Sequence, residues 1–402
     1  KPVIIIHASF HFCVVNTKAL KAFGIDASSK NPKGGVIRRI SGTQNPNGVL
    51  EENAFFIKFF PLMEQFGEEI EDFMFERAQK TYASYGYSTA VEGRSTKAIS
   101  KVLKRAADKG KITLDVLAFA DIMDNKEDMQ SEYHSPEYKN NYRIAGAKLV
   151  LDGSPQGKTA WLTQPYFVIP EGLAKNYKGF PIHTDEEAFA LIDSCYKNGW
   201  KFQIHTNGDA AIDQFIEGVR RAVAKYGKNN IHPVLVHGQT LRADQIPELV
   251  ELEIFPSLFP MHTFYWGDWH VSSVLGHPRA DFISPTKSVM DAGLLFTSHH
   301  DAPVATPSIF RVLDATINRV TRTGVVLGPD QRVSPYVALQ SNTIWAAVQH
   351  FEDQKKGTLT EGKHADFVIL NQNPLKIDPL SIKDLYVVEN IKRGKSIYKK
   401  GI

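Results

Sequence analysis

The sequence predicts an α/β protein whose main domain is a (β/α)₈ TIM-type barrel with its first strand missing. Apolar, strand-sized segments alternate with helical segments from residue 71 onward. Each strand segment is apolar almost throughout, as in a parallel sheet whose two faces are both covered by helices. We count seven such strands, one fewer than a complete barrel contains.

The elements of the barrel follow one another in a regular order. The strands are expected near Tyr87, Thr113, Ala147, Phe202, Val234, Ile254 and Leu294. Three of the helices between them are expected to stop at glycines, at Gly86, Gly110 and Gly199. The last of these helices should begin at a capping box, because Thr184 is followed three residues later by Glu187.

Residues 201–222, KFQIHTNGDAAIDQFIEGVRRA, show the strand-to-helix transition most clearly. The strand ends at His205, Asn207 and Gly208 predict a tight turn with positive φ, and Asp209 is expected to cap the next helix. That helix has an apolar stripe that predicts packing against the core. The turn would hold His205 rigidly at the mouth of the barrel.

Both ends of the chain depart from this alternation. Residues 1–70 contain an apolar strand, a hairpin-like stretch rich in Gly, Pro and Asn, and a Phe-rich helix. Residues 355–402 predict a small β-domain built from HADFVIL, DLYVVENI and KSIYK. We therefore assign 71–354 to the barrel. A doubly wound open sheet is the competing fold, but no Gly-rich phosphate loop follows any strand.

Composition excludes several classes of protein. The chain has 402 residues and a net charge of +3, which gives no reason to expect nucleic acid or a membrane as a partner. Its longest apolar runs are strand-sized, too short to cross a bilayer. The two cysteines, Cys13 and Cys195, rule out a disulfide scaffold. By default we expect a cytoplasmic protein.

Chemically active side chains lie in or directly after several of the strands. Lys148 lies within AKLVL, His205 closes FQIH, His237 closes VLVH, and Asp301 follows FTSHH. The carboxyl ends of barrel strands meet on one face, so these residues should converge there. Two imidazoles, a carboxylate and a lysine suit a zinc-type hydrolytic site.

Each of these residues also has a structural interpretation. A single histidine at a strand end is often just a hydrogen-bonded residue, and Lys148 could extend its amine to solvent. A lysine inside an apolar strand is nevertheless uncommon, because burying an unpaired ammonium is costly. His299 and His300, which precede Asp301, are expected to contact either a metal-binding side chain or the substrate.

Aromatic loops flank the same face of the predicted barrel. They are TAWLTQPYF, which contains Trp161, and PMHTFYWGDWH, which contains Trp266. Clustered aromatic side chains on loops suit a partly apolar organic small molecule. Alternatively, they pack against one another or at a subunit interface, so a homodimer is left open.

These segments resemble the amidohydrolase superfamily, in particular the amidohydrolase-3 group of YtcJ-like metal-dependent hydrolases, which includes N-substituted formamide deformylase. The matching segments are AKLVLDGSPQGKTAWL, QIHTNGDAAID, VHGQ, FPMHTFYWGDWH, SHHDAPV and KGTLTEGKHADFVIL. The resemblance extends over essentially the whole chain. It implies hydrolysis of a non-peptide C–N bond in an N-substituted amide or formamide. The attacking water would be activated by one or two divalent metal ions, and zinc is the expected metal.

The resemblance also implies roles for individual residues. His205 and His237 are expected to be metal ligands, and Asp301 a ligand and the general base. Lys148 is expected to bridge two metal ions as a carboxylated lysine. His11 is expected to contact substrate, and so are Trp161, Trp266 and His300.

The start of the sequence departs from the family's pattern. Family members carry a His-x-His pair on the first barrel strand, and HASFH, residues 7–11, does not have that spacing. Residues 1–70 would then be an excursion between barrel strands 1 and 2, and the native polypeptide would be longer at its N-terminus. The rival function is a catalytically impaired barrel that acts as a binding or regulatory protein. Metal analysis distinguishes the two.

Overall fold

The computed structural model describes residues 1–7, 11–63 and 67–401. Residues 8–10, inside the HASFH segment, and residues 64–66, after the Phe-rich helix, lie outside this part of the chain. A four-stranded antiparallel sheet opens the fold, with the strand order β1-β2-β4-β3. Its elements are β1 (Ile4–Ile6), β2 (Phe12–Val15), α1 (Thr17–Ala22), β3 (Gly35–Arg39), β4 (Pro46–Glu52) and α2 (Asn53–Met63).

The centre of the protein is a curled parallel sheet of seven strands, ordered β11-β10-β9-β8-β7-β6-β5. They are β5 (Thr89–Ser95), β6 (Asp115–Asp121), β7 (Tyr142–Val150), β8 (Phe202–Thr206), β9 (Val234–His237), β10 (Phe255–Leu258) and β11 (Thr297–Ser298). All seven strands expected from the sequence are therefore confirmed. The sheet with its helices is TIM-like. That the first strand of an eight-stranded barrel is missing stays a prediction.

Helices follow the strands and cover the sheet. They are α3 (Glu68–Ser84), α4 (Lys97–Asp108), α5 (Asp185–Lys197), α6 (Asp209–Tyr226), α7 (Ile246–Glu251), α8 (Met261–Trp269), α9 (Thr286–Asp291), α10 (Ile309–Asn318), α11 (Pro335–Gln340) and α12 (Ile344–Gln349). The predicted capping box at Thr184 and Glu187 is confirmed. Gly86, Gly110 and Gly199 follow their helices with positive φ, as expected.

The main core lies between the sheet and these helices. Ile192 of α5, Phe215 and Val219 of α6, and Phe202 of β8 are all buried in it. The predicted apolar stripe of α6 thus faces the core, as the sequence pattern indicated. Among the described residues, no helix combines the length and the apolar character that a bilayer span requires.

The turn after β8 differs from its prediction. Neither Asn207 nor Gly208 has positive φ. Gly208, with φ −81° and ψ 145°, is the N-cap of α6, so Asp209 is inside the helix and does not cap it. Gly208 is required for a different reason, since a methyl group there would lie 1.9 Å from the carbonyl oxygen of Trp161.

The C-terminal residues form a three-stranded antiparallel sheet of β12 (Phe367–Leu370), β13 (Val387–Lys392) and β14 (Lys395–Lys399). Buried charges connect it to the barrel. Asp115, fully buried at the start of β6, has Nζ of Lys356 at 2.5 Å, Nζ of Lys392 at 2.7 Å and a guanidinium nitrogen of Arg393 at 3.0 Å. Burial alone raises the pKa of Asp115, but Lys356 and Lys392 more than offset it and the pKa lies below its usual value.

We expect Gly208→Ala to destabilise the fold by about 1–3 kcal/mol, because the added methyl group must displace the backbone of Trp161. Gly67→Ala is the matched control. Gly67 is also an N-cap, with φ −69° and ψ 159°, and no described atom lies within 4 Å of the position that an added methyl group would take. Chemical denaturation should show a change within about 0.5 kcal/mol for the control. Equal losses in both variants would contradict the clash.

We expect Asp115→Asn to cost about 3–5 kcal/mol of unfolding free energy, because it leaves buried lysines without their counter-ion. The folded pKa of Asp115 is lowered, so its stabilisation is complete above the unfolded value of about 3.9 and is lost as the pH falls through the folded pKa. Acidification from about pH 5 to pH 3 should therefore destabilise the wild type more than the variant. Glu253→Gln, in an exposed pair with Lys228, is the control and should change little.

Candidate active site

His205 and His237 lie side by side at the carboxyl end of the sheet. Nδ1 of His205 is 3.0 Å from Nε2 of His237, and both side chains are buried. In the parallel register His237 pairs with Thr206, the neighbour of His205, so regular alternation would direct the two imidazoles to opposite faces. His237 is the last residue of β9 and has φ +76°, which departs from strand geometry just where the ring contacts His205.

The facing nitrogens suit a metal ion. Nε2 of His205 lies 3.1 Å from the carbonyl oxygen of Gly153 and 3.1 Å from Nδ2 of Asn207. In the tautomer that carries its proton on Nε2, His205 donates to that carbonyl oxygen and Nδ1 presents a lone pair to His237. Two imidazoles on a tetrahedral zinc ion, with Zn–N bonds of about 2.0–2.1 Å, hold their nitrogens roughly 3.3 Å apart. Burial lowers the pKa of both histidines well below 6.5, which keeps them in the neutral form that metal binding needs.

Asp152 fixes the loops around His205. Its carboxylate accepts hydrogen bonds from the backbone N–H groups of Trp161 at 3.0 Å, Asn207 at 2.9 Å and Gly208 at 2.7 Å. Burial raises the pKa of Asp152 to about 7 in spite of these donors. The loop after β7 is thereby tied to the loop after β8, which holds His205 in place.

Lys148 and Asp301 lie within electrostatic reach of each other and of the histidine pair. Burial lowers the pKa of Lys148 to about 8, although the charge of Asp301 opposes this shift. Burial raises the pKa of Asp301 to about 6, while the charges of Lys148 and His11 oppose it. The charge of Lys148 also lowers the pKa of His205 and of His237. The structure thus brings together the four residues expected to hold the metal.

Three charged residues next to Lys148 were missed in the sequence. Asp121, the last residue of β6, is in register with Lys148 and accepts a hydrogen bond from Nε of Arg94 at 2.7 Å. Glu92, on β5, is close enough for its charge to act on both Lys148 and Asp301. The strand-end rule that selected His205 and His237 would have found Asp121 in LAFAD.

His11 reaches the site from the N-terminal sheet. Its ring lies 5.7 Å from that of His205, and its Nδ1 is 2.9 Å from the carboxylate of Glu52. Burial lowers the pKa of His11, but Glu52 raises it further, so that the pKa is above its ordinary value. Thr159 also donates to Glu52, at 3.1 Å, which links the N-terminal sheet to the loop after β7.

The aromatic residues expected to contact substrate lie in different surroundings. Trp266 packs on His262, with ring centroids 4.6 Å apart, near the histidine pair. Trp161 packs partly against the main core. His300 lies between Tyr82 and Tyr87, with ring centroids 5.4 and 5.5 Å away. Substrate contact by these residues stays a prediction.

His299, rather than His300, contacts a metal-ligand candidate. Its Nε2 is 2.9 Å from Nδ1 of His237, and its Nδ1 is 3.1 Å from the hydroxyl oxygen of Ser257. Burial lowers the pKa of His299 to about 3, so this imidazole is neutral. The sequence marked His299 and His300 as neighbours of Asp301 but could not tell which of the two would face His237.

Comparison with protein families shows which family the chain belongs to. The model of an amidohydrolase family matches residues 1–398. The chain belongs to this amidohydrolase family. It is accordingly a hydrolase that acts on C–N bonds, as the sequence analysis expected.

Two related amidohydrolases match nearly the full chain. YtcJ of Bacillus subtilis, which is named as an amidohydrolase, is 24% identical over 409 residues, covering 100% of this chain and 74% of that protein. N-substituted formamide deformylase of Arthrobacter pascens is 25% identical over 414 residues, covering 99% and 74%. The crystal structure of an uncharacterized metal-dependent hydrolase of Pyrococcus horikoshii has a TM-score of 0.75 at 22% identity, covers 94% of this chain and 73% of that one, and shows the same fold.

This amidohydrolase has a second group of potential metal ligands. Asp115, His364 and Asp366 place their ligand atoms within 4.8 Å of one another. Asp115 begins β6, whereas His205 and His237 lie at the ends of their strands, so the two groups are at opposite ends of the sheet. The lysines and the arginine that surround Asp115 would repel a divalent ion, which disfavours metal binding by this group.

Proposed function

We propose that this amidohydrolase hydrolyses a non-peptide C–N bond in a small N-substituted amide or formamide, with one or two zinc ions held by His205, His237, Asp301 and Lys148. The observation that carries the proposal is the 3.0 Å approach of Nδ1 of His205 to Nε2 of His237. If both nitrogens carry lone pairs, they repel each other, and a divalent ion between them removes that repulsion.

The residues of the site divide the reaction between them. A bound divalent ion supplies a Lewis acid that polarises a carbonyl group and makes water nucleophilic at neutral pH. Asp301 accepts the proton that the water loses as its oxygen bonds to the carbonyl carbon. When the C–N bond breaks, the same carboxyl group returns that proton to the leaving nitrogen. An amine and a carboxylic acid are released.

The surroundings of the site favour an uncharged, partly apolar substrate. Phe259 stacks on His299 with ring centroids 5.0 Å apart, and Trp266 packs on His262 with ring centroids 4.6 Å apart. Aromatic side chains beside a polar site suit organic substituents of a substrate. The choice of formamides among these substrates follows the name of the Arthrobacter relative, at 25% identity.

We expect Asp301→Asn to lower turnover of an N-substituted formamide by roughly 10²–10⁴-fold, because the amide cannot accept the proton of water. The measurement is the rate of amine release by the zinc-loaded protein, with zinc content determined in parallel. Asp330→Asn, at an exposed position, is the control and should keep full activity. A zinc-loaded Asp301→Asn variant with undiminished turnover would refute the assigned role. A wild type that binds no zinc would refute the proposed function.

We propose further that Lys148 is carboxylated when metal is bound. Around Lys148, the carboxylates of Asp301, Asp121 and Glu92 repel a carbamate, so it should form only when divalent ions balance the negative charge.

In ¹³C-bicarbonate with zinc, we expect a carbamate carbon signal in the wild type and none in Lys148→Ala. Lys201→Ala is the matched control. Burial lowers the pKa of Lys201 to about 8 as well, but this residue precedes β8 at the other end of the sheet. Its variant should keep the signal. Loss of the signal in the control alone would assign the carbamate to Lys201 and contradict the proposal.

A further inference from the structure

A small cavity lies at the amino end of the seven-stranded sheet, opposite the histidine pair. It is bounded by the starts of β8 and β9 and by residues 349–351, which follow α12. Its free volume of about 10 Å³ is enough for about one water-sized occupant. Half of its lining is aromatic or aliphatic, and the polar half consists of Arg143, Lys201, His232, Gln349 and His350.

Arg143 brings a buried cation to this cavity. Its Nη2 donates to the carbonyl oxygen of His350 and to Oε1 of Glu352, both at 3.2 Å. Among the described residues, its buried Nε has no hydrogen-bond partner. Glu352 is also shared, because Nζ of Lys356 lies 2.9 Å from its other carboxylate oxygen. One carboxylate therefore faces two cations, and Arg143 keeps a donor without an acceptor.

Lys201 brings a second cation to the same cavity. Its Nζ lies 3.0 Å from the centre of the Phe351 ring, and no described carboxylate is within ion-pair distance of it. Burial and, second to it, the charge of Arg143 lower the pKa of Lys201 to about 8. The two cations are thus close enough to repel each other. His350 adds no charge, since burial lowers its pKa to about 4.

The cavity lacks the negative charge that would balance these two cations. None of the described residues that line it is acidic. Burying a cation is costly unless a partner of opposite charge compensates. A water molecule could accept from Nε of Arg143 but would leave both charges uncompensated, whereas an anion does both. The volume admits a single-atom anion and excludes phosphate or sulfate.

We propose that this cavity binds one halide anion, with chloride as its occupant, between Arg143 and Lys201. The anion would join β7, which carries Arg143, to the start of β8 and to the segment after α12. It would stabilise the amino end of the sheet and take no part in hydrolysis, so the proposal is independent of the proposed function.

The test is the unfolding of the full chain by urea in mixtures of sodium chloride and sodium gluconate at constant ionic strength. A ligand that binds one site of the folded protein alone raises the folding constant about tenfold for each tenfold rise in its concentration above Kd. We expect this dependence in the wild type, with chloride and with bromide. Lys201→Met keeps the length of the side chain without its charge and should lose most of the dependence.

Lys400→Met is the matched control. Nζ of Lys400 also lies over an aromatic ring, 3.2 Å from the centre of Tyr386, but this lysine is exposed and does not line the cavity. Its variant should respond to chloride as the wild type does. If both lysine variants lost the dependence equally, a general effect of net charge would replace the site and the proposal would be wrong.

Crystals of the full chain grown in sodium bromide locate the anion directly. We expect an anomalous bromide peak between Arg143 and Lys201 in the wild type and none there in Lys201→Met. A folding constant that does not change with chloride at fixed ionic strength would overturn the proposal. Full dependence in Lys201→Met would do the same, because the anion would then bind elsewhere. A wild-type cavity without bromide overturns the proposal even if Lys201→Met does not fold.

Discussion

The parallel pairing of β7, β8 and β9 is the constraint on which the rest of the site depends. It brings Lys148, His205 and His237, which are 89 positions apart along the chain at most, to neighbouring positions at one end of the sheet. Parallel strands need long crossover connections, and here α5 and α6 supply them while burying the faces of the sheet. The same helices that complete the core therefore also set the spacing of the site residues.

Positioning within the site comes from buried polar contacts. Asp152 ties two loops together through three backbone donors, and Glu52 holds His11 beside His205. Positive φ at His237 and at Asp301 adds to this picture, because an L-residue pays roughly 1–2 kcal/mol for that conformation. Backbone strain of this kind is concentrated at functional sites.

Charge is distributed unevenly around the site. On one side are two neutral imidazoles with low pKa values, and on the other is Lys148 with the carboxylates of Asp301, Asp121 and Glu92. Divalent ions would be coordinated by imidazole nitrogens from one group of residues and by carboxylate oxygens from the other. At the opposite end of the sheet, Asp115 is surrounded by cations and joins the barrel to the C-terminal sheet. Buried carboxylates thus stabilise the fold at Asp115, whereas at the candidate active site they suit metal binding and catalysis, because their partners differ.

The sequence by itself determined the number and type of the barrel strands, because their apolar character and the glycines after the helices are local signals. It also placed Lys148, His205, His237 and Asp301 at the carboxyl end of the sheet. Tertiary structure alone decided which partners these residues have. Whether His299 or His300 turns toward His237 depends on backbone geometry after β11, and the contact between His237 and His299 joins residues 62 positions apart. Gly208 shows the same limit: its sequence suggested a turn with positive φ, but the backbone of Trp161, brought close by Asp152, is what requires a glycine there.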